Sequence, residues 1–468
     1  MLGFGMHQQH LFSISDGILV TEAQKRFDGA EGWMVIYFNN EKIGYSRTET
    51  SWVKNGYDIL EFSHLVFNVR GDKQTIQYQL KTNVDPNFLL KSFEFRLASD
   101  LGNSFLQGMI QGEKLNVTMY SQNNKTHSVF SLEQVPCVSN NLMPYLLNKG
   151  LSVGERYNLA FFDPFTMNIS NILLDVTGKE ALEHTGQPIM TYRLKESYNG
   201  IEKSIWVTET GEKMKEKTIS GFTFIRGNKK MILSTQTSQE DVIKMTAIPT
   251  DKLIKNARKV KRLKLKLDNI SVDSFNLDGC CQSRMGNILE ILREDLATPK
   301  PFVLPYNKKE LRKYIQSTPL IQSGHEKIIK QARAITDGYK LPEKAARMLL
   351  KWVYHNLQKK SYVGIPSALD VLDIRAGDCN EHAVLFTALC RSVGIPARLS
   401  VGLVYMSDAF YYHAWTEIFL ENWIPVDPMF NQFPADATHV RFCTGNLGDQ
   451  IRILSLVGKL SLEVIDYS

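Results

Sequence analysis

The sequence predicts an α+β protein in which a β-rich first half precedes a C-terminal domain of helices and strands. Two observations support this prediction. From about residue 33 to residue 245, short runs of aromatic and β-branched residues alternate with turn residues, and after about residue 318 apolar residues recur at helical spacing. Apolar residues make up 43% of the chain and charged residues 22%, a balance typical of globular proteins that argues against the disordered and fibrous classes.

The length of 468 residues indicates more than one hydrophobic core. We divide the chain into an N-terminal extension (1–30), a β-rich domain (31–250), a strand and linker region (251–318) and a C-terminal domain (319–468). The linker is placed at residues 297–307 (ATPKPFVLPYN), because three prolines in so short a stretch are typical of an irregular boundary.

The first half is predicted to be an antiparallel sandwich or a curved open sheet. Residues 33–46 (WMVIYFNNEKIGYS) have strand-forming runs on both sides of two asparagines, which is the pattern of a hairpin. Similar runs recur at residues 58–69, 75–80, 92–97, 158–162, 189–194, 204–208 and 221–226. No catalytic motif is visible in this half.

Three helices are predicted after the linker. Residues 323–326 (SGHE) match a capping box, with Ser323 as the N-cap of the first helix. Pro342 suits the first turn of the second helix. The third helix is predicted to begin at Cys379 and to end at Gly394, since glycine is the commonest residue just after a helix.

The net charge of +6 has a local origin. Between Lys252 and Lys266, eight of fifteen residues are Lys or Arg and none is acidic. Leu263, Leu265 and Leu267 alternate with basic residues, so we interpret the segment as a solvated or edge strand protected by lysines. A patch that binds nucleic acid or an anionic surface is the alternative, and no nucleic-acid partner is expected.

The six cysteines show neither CxxC spacing nor the density of a disulfide scaffold, so reduced thiols are expected. No apolar run is long enough to cross a bilayer, and the first thirty residues lack the pattern of an export signal. The default localisation is therefore cytoplasmic, with the cell envelope as the alternative if a leader preceded this sequence. The oligomeric state is left open.

Residues 376–382 (AGDCNEH) place a cysteine at a helix start, where a buried structural thiol gains nothing. Cys390, further along the same helix, falls on its apolar face and is interpreted as inert. Cys379 instead lies in the first turn, where unpaired backbone N–H groups and the helix dipole favour an anion. The position predicts a lowered pKa for the Cys379 thiol and a nucleophilic role.

A thiolate nucleophile usually needs a base, and the base needs an orienting group. His382, His413 and His439 are the candidate bases. Residues 410–420 alternate as a strand, and a second strand ending at Asp427 follows after a short turn. An antiparallel pair brings His413 and Asp427 to adjacent backbones, with the register uncertain by about three residues.

Two segments, GDCNEHAVLFTALCRSVGIPAR (377–398) and YHAWTEIFLENWIPVDP (412–428), closely resemble the transglutaminase-like superfamily, a branch of the papain-like cysteine enzymes. The resemblance spans about residues 323–441 and keeps the family's order of motifs. It implies a papain-like fold for the C-terminal domain. Together with the β-rich first half, the chain resembles a bacterial subgroup with an N-terminal β domain.

The resemblance implies Cys379 as the nucleophile, His413 as the general base and then acid, and Asp427 as the residue that holds His413. It also implies acyl transfer on protein or peptide amides through a thioester, ending in hydrolysis or in transfer to an amine. The Cys379 backbone N–H is the expected first oxyanion donor. The second is sought among Trp352, Tyr354, His355 and Tyr362.

Several alternatives are kept beside this prediction. His382 is a second candidate base, and a zinc site formed by Cys379, His382, His413 and His439 is a minor alternative, because its spacing matches no usual ligand pattern. Tyr412 is interpreted as packing rather than groove lining. No cofactor or metal is predicted, and calcium is not implied. The rival function is a non-catalytic scaffold that binds peptides by strand addition.

Overall fold

The computed structural model describes residues 27–69, 71–100, 102–234, 241, 245–269, 275–294, 302–361, 364–445, 447–456 and 458–468. Most of the predicted N-terminal extension and residues 297–301 of the predicted linker lie outside these ranges. The prediction of an α+β chain with an antiparallel β-rich first half and a C-terminal domain of helices and strands is confirmed.

Fourteen strands, β1–β14, form one antiparallel sheet in the described part of the first half. In chain order they are Ala30–Phe38, Glu41–Val53, Gly56–Val69, Asp72–Val84, Leu90–Ser99, Gly102–Gln111, Lys114–Ser121, Asn124–Ser131, Arg156–Asp163, Asn168–His184, Gln187–Tyr198, Ile201–Thr208, Lys213–Thr218 and Phe222–Arg226. The order in the sheet runs from β8 to β1 and then from β14 to β9, so neighbours in sequence pair except where β1 meets β14. A single sheet is thus found where the sequence left two architectures open.

The sheet curls on itself. Ile59 on β3 and Leu174 on β10 are fully buried in one hydrophobic core, although their strands are far apart in the sheet order. Helix α1 (Leu142–Lys149) lies in the same core and contributes Leu146. A second helix, α2 (Lys229–Ser234), follows β14. Burial of apolar surface between distant strands therefore accounts for the curvature.

The second half contains strands β15–β25 and helices α3–α7. The strands are Ile248–Pro249, Arg262–Asp268, Gln282–Met285, Ile288–Leu292, Gln358–Lys359, Ala376–Gly377, Ala397–Met406, Ala409–Phe419, Trp423–Val426, His439–Gly445 and Ser461–Tyr467. The α-helices are Glu326–Thr336, Pro342–Asn356, Ala368–Ile374, Cys379–Ser392 and Leu447–Gln450, and 3₁₀ turns occur at Ala257–Lys259, Lys309–Tyr314 and Ile451–Leu456.

These strands form three sheets. One has the order β15-β22-β21-β24, with β23 paired to β22, and a second has the order β17-β18-β16-β25. The third is the short parallel pair β19-β20. Helix α6 packs against β22 and against its helical neighbours, so the start of α6 lies beside the centre of the first sheet.

The basic strand is internal rather than at an edge. Leu263, Leu265 and Leu267 on β16 are buried, as the period-two pattern predicted. The interpretation as an edge strand is wrong, because β16 lies between β18 and the C-terminal strand β25. Residues of β16 share one hydrophobic core with the helices of the C-terminal domain. The predicted boundary at residue 318 therefore separates elements that pack together.

The helix boundaries match the predictions at two of three starts. Helix α4 begins at Pro342 and helix α6 begins at Cys379. The first helix, α3, begins at Glu326, and its N-cap is His325, whose ring Nδ1 accepts a hydrogen bond of 3.2 Å from the Lys327 backbone N–H. Ser323 is therefore not the N-cap.

The β-rich domain contacts the helices through the edge strand β8. Asn124 donates hydrogen bonds to Asp370 (3.0 Å) and Asp373 (2.9 Å) on α5. Lys327 on α3 donates to Asn124 (3.0 Å) and also pairs with Asp373. Within the described ranges, no helix combines the length and the apolar character needed to cross a lipid bilayer.

The end of helix α6 provides a test of the fold. Gly394 has φ 84°, and an added Cβ would lie 2.3 Å from Pro305 Cβ and 2.6 Å from Pro305 Cα, whereas Gly186 has φ 77° and open space around it. Alanine costs about 1–2 kcal/mol of left-handed strain at both positions. Only Gly394→Ala adds a clash with backbone, worth about 1–3 kcal/mol more.

We therefore expect Gly394→Ala to lower the midpoint of thermal unfolding further than Gly186→Ala, by about 2–4 °C for each kcal/mol. Differential scanning calorimetry of the two variants measures this difference. Equal midpoints would contradict the packing of Pro305 on the end of α6.

Candidate active site

The start of helix α6 is organised by a capping box. Asp378 is the N-cap, and its carboxylate accepts the backbone N–H of Asn380 at 3.1 Å. Glu381 folds back and accepts the backbone N–H of Asp378 at 3.0 Å. A Cβ on Gly377 would lie 2.3 Å from Glu381 Cβ, so glycine is required there. These contacts fix Cys379 as the first helical residue.

The Cys379 side chain lies against strand β22. The backbone segment before it is held by β19 and β20, which pair through Gln358 with Ala376 and Lys359 with Gly377. The thiol is buried, and the backbone N–H of Ala414 on β22 donates a hydrogen bond to the sulfur. The predicted nucleophile therefore lies beside the residue that follows His413.

His413 and Asp427 meet as a buried pair. In the β22–β23 hairpin Phe419 is opposite Trp423 and Thr416 is opposite Val426. Asp427 is therefore not directly across from His413, and its side chain reaches along the strand to place Oδ2 2.7 Å from His413 Nε2. The displacement falls within the register error of about three residues that the turn length left open.

Asp427 accepts four hydrogen bonds. Its Oδ1 accepts the backbone N–H groups of Met429 (2.7 Å) and Phe430 (3.0 Å), while its Oδ2 accepts His413 and also His439 Nε2 at 2.9 Å. Burial alone would raise the pKa of Asp427, but the charge of His413 and the bonds from both histidines outweigh burial and hold the pKa below its usual range. Asp427 is therefore a fully satisfied, ionised carboxylate.

Aromatic rings fix the plane of the His413 imidazole. Phe430 stacks on it at 5.0 Å with an interplanar angle of 15°, and Trp415 stacks at 6.2 Å and 22°. Because Nε2 is bonded to Asp427, Nδ1 is the ring nitrogen available to exchange a proton with another group.

The predicted charge state of Cys379 is wrong. The helix start was expected to lower the pKa of the thiol, but burial, followed by the negative charge of Asp378, raises the pKa well above its usual value, and the hydrogen bond from Ala414 opposes this only in part. The resting sulfur is therefore a neutral thiol, and it needs a base.

His382 is placed differently from His413. Its Nδ1 donates to the backbone carbonyl of Asp378 at 2.7 Å, and burial lowers the pKa of the ring, so His382 is neutral. No hydrogen-bond partner for its Nε2 occurs among the described residues. No carboxylate hydrogen-bonds to the His382 ring in the described structure, unlike the ring of His413.

The four residues considered for zinc do not form one group in the described structure. The side-chain atoms of a kind that could ligate a metal, and that come together there, belong to His413, Asp427 and His439, all within 4.8 Å of one another. His439 was considered from the sequence only as a candidate base and as a candidate zinc ligand, and its contact with Asp427 was not predicted. Asp436, three residues before His439 in the sequence, is the local signal that could have indicated a buried acid–histidine contact.

Tyr412 is a second residue that the sequence undervalued. Its hydroxyl donates to Asn380 Oδ1 at 3.1 Å, and burial raises the pKa of the phenol well above its usual value. The hydroxyl therefore contacts the residue that follows Cys379. Among the predicted oxyanion donors, Trp352 lies on α4 with the Arg375 guanidinium 4.4 Å from its ring, and Tyr362 lies outside the described residues.

Tyr354 and His355, the other two predicted donors, also lie on α4. Their rings contact each other edge to face at 5.0 Å, and Lys359 lies over the Tyr354 ring. Neither contact involves Cys379. The identity of the second oxyanion donor stays a prediction.

Comparisons with known proteins place this site in a family context. Residues 329–428 match the family model of the transglutaminase-like superfamily. No curated protein sequence matches the chain significantly. A Cytophaga hutchinsonii structure provisionally assigned as a cysteine protease is 15% identical, with a TM-score of 0.30, over 45% of this chain and 87% of its own.

Two further solved structures are similar at a comparable level. A β-barrel-like protein from Brucella abortus is 11% identical, with a TM-score of 0.36, over 42% of this chain and 95% of its own. A Parabacteroides distasonis protein provisionally assigned as a protease is 11% identical, with a TM-score of 0.20, over 74% of this chain and 69% of its own. Likeness at this level assigns no function. The family match confirms the resemblance inferred from the motifs, and residues 329–428 of this chain are a transglutaminase-like segment.

Proposed function

We propose that this protein is a cysteine-dependent enzyme that acts on protein or peptide amides through a thioester. The observation that carries the proposal is the buried His413–Asp427 pair, 2.7 Å apart, in which His413 lies on the strand that packs against the Cys379 thiol. A lone buried cysteine is usually structural, but one beside an oriented imidazole has a base within reach.

The reaction begins from a neutral thiol. As the sulfur of Cys379 attacks the amide carbonyl, His413 Nδ1 takes the thiol proton, and Asp427 stabilises the imidazolium that forms. The carbonyl oxygen becomes an oxyanion, for which the Cys379 backbone N–H at the helix start is a donor. Because the pKa of Cys379 is raised, the thiol has to give its proton to a base for this attack to occur.

The tetrahedral intermediate then collapses. The C–N bond breaks, the leaving amine takes the proton from His413, and the acyl group remains on sulfur as a thioester. Water or a second amine next gives its proton to His413 and attacks the thioester carbonyl. The C–S bond breaks, and the sulfur regains the proton. Water yields amidase or peptidase activity, and an amine yields transferase activity.

The alternative, a peptide-binding scaffold, needs an open sheet edge. Strand β9 forms a bridge with Cys137, whose backbone N–H and carbonyl bond to Ala160 and Phe162. The opposite edge, β8, is engaged by α3 and α5 through Asn124. Both edges are therefore partly occupied, and no specific contact favours the scaffold.

The reaction type can be measured directly. Wild type and Cys379→Ser are incubated with a mixed protein digest and a labelled primary amine, and the products are weighed by mass spectrometry. We expect wild type alone to produce new peptide termini, loss of amide nitrogen or incorporated label, which identify a peptidase, a deamidase and a transferase in turn. Identical product masses from both proteins would refute the proposal that this protein is an enzyme.

The orienting carboxylate provides a second test. Asp427→Asn keeps the shape of the side chain but removes its charge, so we expect kcat to fall by about 10³–10⁴-fold. The control Asp408→Asn changes an exposed aspartate in the turn before β22 and should leave kcat unchanged. If His382→Gln lowered kcat as much as His413→Gln, the assignment of His413 as the base would be contradicted.

The cause of the raised thiol pKa is also testable. Asparagine caps helices as well as aspartate, so Asp378→Asn preserves the helix start but removes the negative charge beside Cys379. We expect iodoacetamide to label Cys379 at a lower pH in this variant than in wild type. Mass spectrometry of the peptide that contains Cys379 follows the labelling, and Asp408→Asn serves as the control. An unchanged labelling curve would leave burial as the sole cause.

A further inference from the structure

We propose that His439 is a positioning residue that is protonated at neutral pH. We also propose that it belongs to a chain of alternating charges that runs from the partly exposed Arg258 through the buried Asp436, His439 and Asp427 to His413. The inference rests on the proposed function, because it concerns the carboxylate that orients His413. Neither His439 nor Arg258 lies within the residues that match the family model.

The hydrogen bonds of His439 require two N–H groups. Its Nε2 lies 2.9 Å from Asp427 Oδ2, and its Nδ1 lies 3.0 Å from the backbone carbonyl oxygen of Asp436. The Asp436 carbonyl oxygen and the ionised Asp427 carboxylate can each only accept a hydrogen bond. A neutral imidazole ring carries a single N–H group and could donate to only one of them. Both nitrogens therefore donate, so the ring is an imidazolium ion.

The surroundings stabilise this charge. A carboxylate oxygen of Asp436 lies 3.5 Å from His439 Nδ1. Burial alone would lower the pKa of His439, but the charge of Asp436 and the bond to Asp427 raise it to about 9. The charged or titratable groups facing His439 in the described structure are Asp427 after β23, Asp436 before β24, and His413 on β22.

Arg258 closes the far end of the chain. Its Nη1 lies 3.1 Å from the second carboxylate oxygen of Asp436, an ion pair without the alignment of a hydrogen bond. Its Nη2 donates to Thr438 Oγ1 at 3.0 Å and to the backbone carbonyl of Tyr405. Two cations thus flank Asp436, and burial, which would raise its pKa, is outweighed by His439 and Arg258, so the pKa stays low.

Arg258 also touches the site from a second side. Its guanidinium lies over the Phe430 ring at 4.6 Å, and Phe430 stacks on His413 at 5.0 Å. The first four groups of the chain, two cations and two anions, balance to zero when His413 is neutral. The Asp427 charge is therefore already shared with one imidazolium when His413 accepts the thiol proton.

The partial neutralisation of Asp427 by His439 affects how His413 releases its proton. An isolated carboxylate would hold a proton on His413 more firmly than one whose charge is partly neutralised by His439. His439 thereby eases release of the proton to the leaving amine, while its hydrogen bond keeps Asp427 in position. Loss of the His439 charge should therefore change the pH dependence of the reaction.

The test uses His439→Gln, whose amide can still donate to Asp427 but carries no charge, with the exposed His127→Gln as the control. We expect the acidic limb of the kcat/KM profile to move to higher pH in His439→Gln and to stay in place in His127→Gln. A lower rate with an unmoved limb would overturn the charged role, since it would show a structural effect only.

Histidine-selective ¹⁵N NMR of the wild-type protein tests the charge without a variant. We expect the two ¹⁵N resonances of His439 at pH 7.5 to be those of an imidazolium ring. A neutral ring would overturn the inference, even if Cys379→Ser had shown the protein to be an enzyme. An imidazolium ring in a protein that lacked activity would refute the proposed function but leave the charge assignment standing.

Metal analysis tests whether a metal ion rather than a proton is bound to His439, because the spacing of His413, Asp427 and His439 is compatible with a metal site. We expect purified wild-type protein to carry no stoichiometric zinc. One zinc per chain that is lost in His439→Gln would overturn the imidazolium, since a metal-bound nitrogen cannot also carry a proton.

Discussion

A buried negative charge, that of Asp427, is the constraint on which the site depends. A carboxylate with no exposure to water is stable only when its oxygens are fully hydrogen-bonded. The turn that follows Asp427 supplies two backbone N–H groups, and mutual backbone bonds between Asp427 and Gln432 close that turn. The other two donors are histidines on β22 and β24, which flank β21. Gly402 on β21 allows this approach, since a Cβ there would lie 1.8 Å from the Val440 carbonyl oxygen.

The start of helix α6 shows two effects of opposite sign acting on one sulfur. The capping box stabilises the helix and presents backbone N–H groups, but it does so with carboxylates, and the Asp378 charge disfavours a thiolate. Helix termini are attractive to anions only until another anion occupies them. The competition leaves Cys379 as a thiol at rest, so the proposed reaction needs a base, and the oriented His413 is the candidate. Burial, followed by the charge of Asp378, also raises the pKa of Glu381, the other carboxyl group of the capping box.

The sequence predicted those features, such as helix starts and turns, that depend on interactions between residues close together in the chain. Pro342, the helix-start cysteine and the paired asparagines at φ 48° and 70° mark boundaries that no distant contact can move. Strand β6 was missed because its glycines and its adjacent apolar residues weaken the period-two signal. Strand β7 alternates regularly between polar and buried apolar residues and was overlooked despite that signal. The helix-start position of Cys379 and the contact between His413 and Asp427 were predicted from their motifs. The charge of Cys379 and the role of His439 were not, since both depend on groups brought together by tertiary packing.

The segment between the two halves shows most clearly why the matched residues are not a complete unit. Its positive charge was interpreted as a solvated surface, yet Arg258 turns inward to the Asp436 carboxylate, and the leucines of β16 join the core beneath the helices. Strand β15 pairs with β22, the strand that carries His413, and β25 returns from the chain end to cover β16. A fragment cut at residue 319 would lose β15, β16 and Arg258 together. The geometry around Asp427 is therefore a property of the chain from β15 onward, and residues 329–428 carry only its central part.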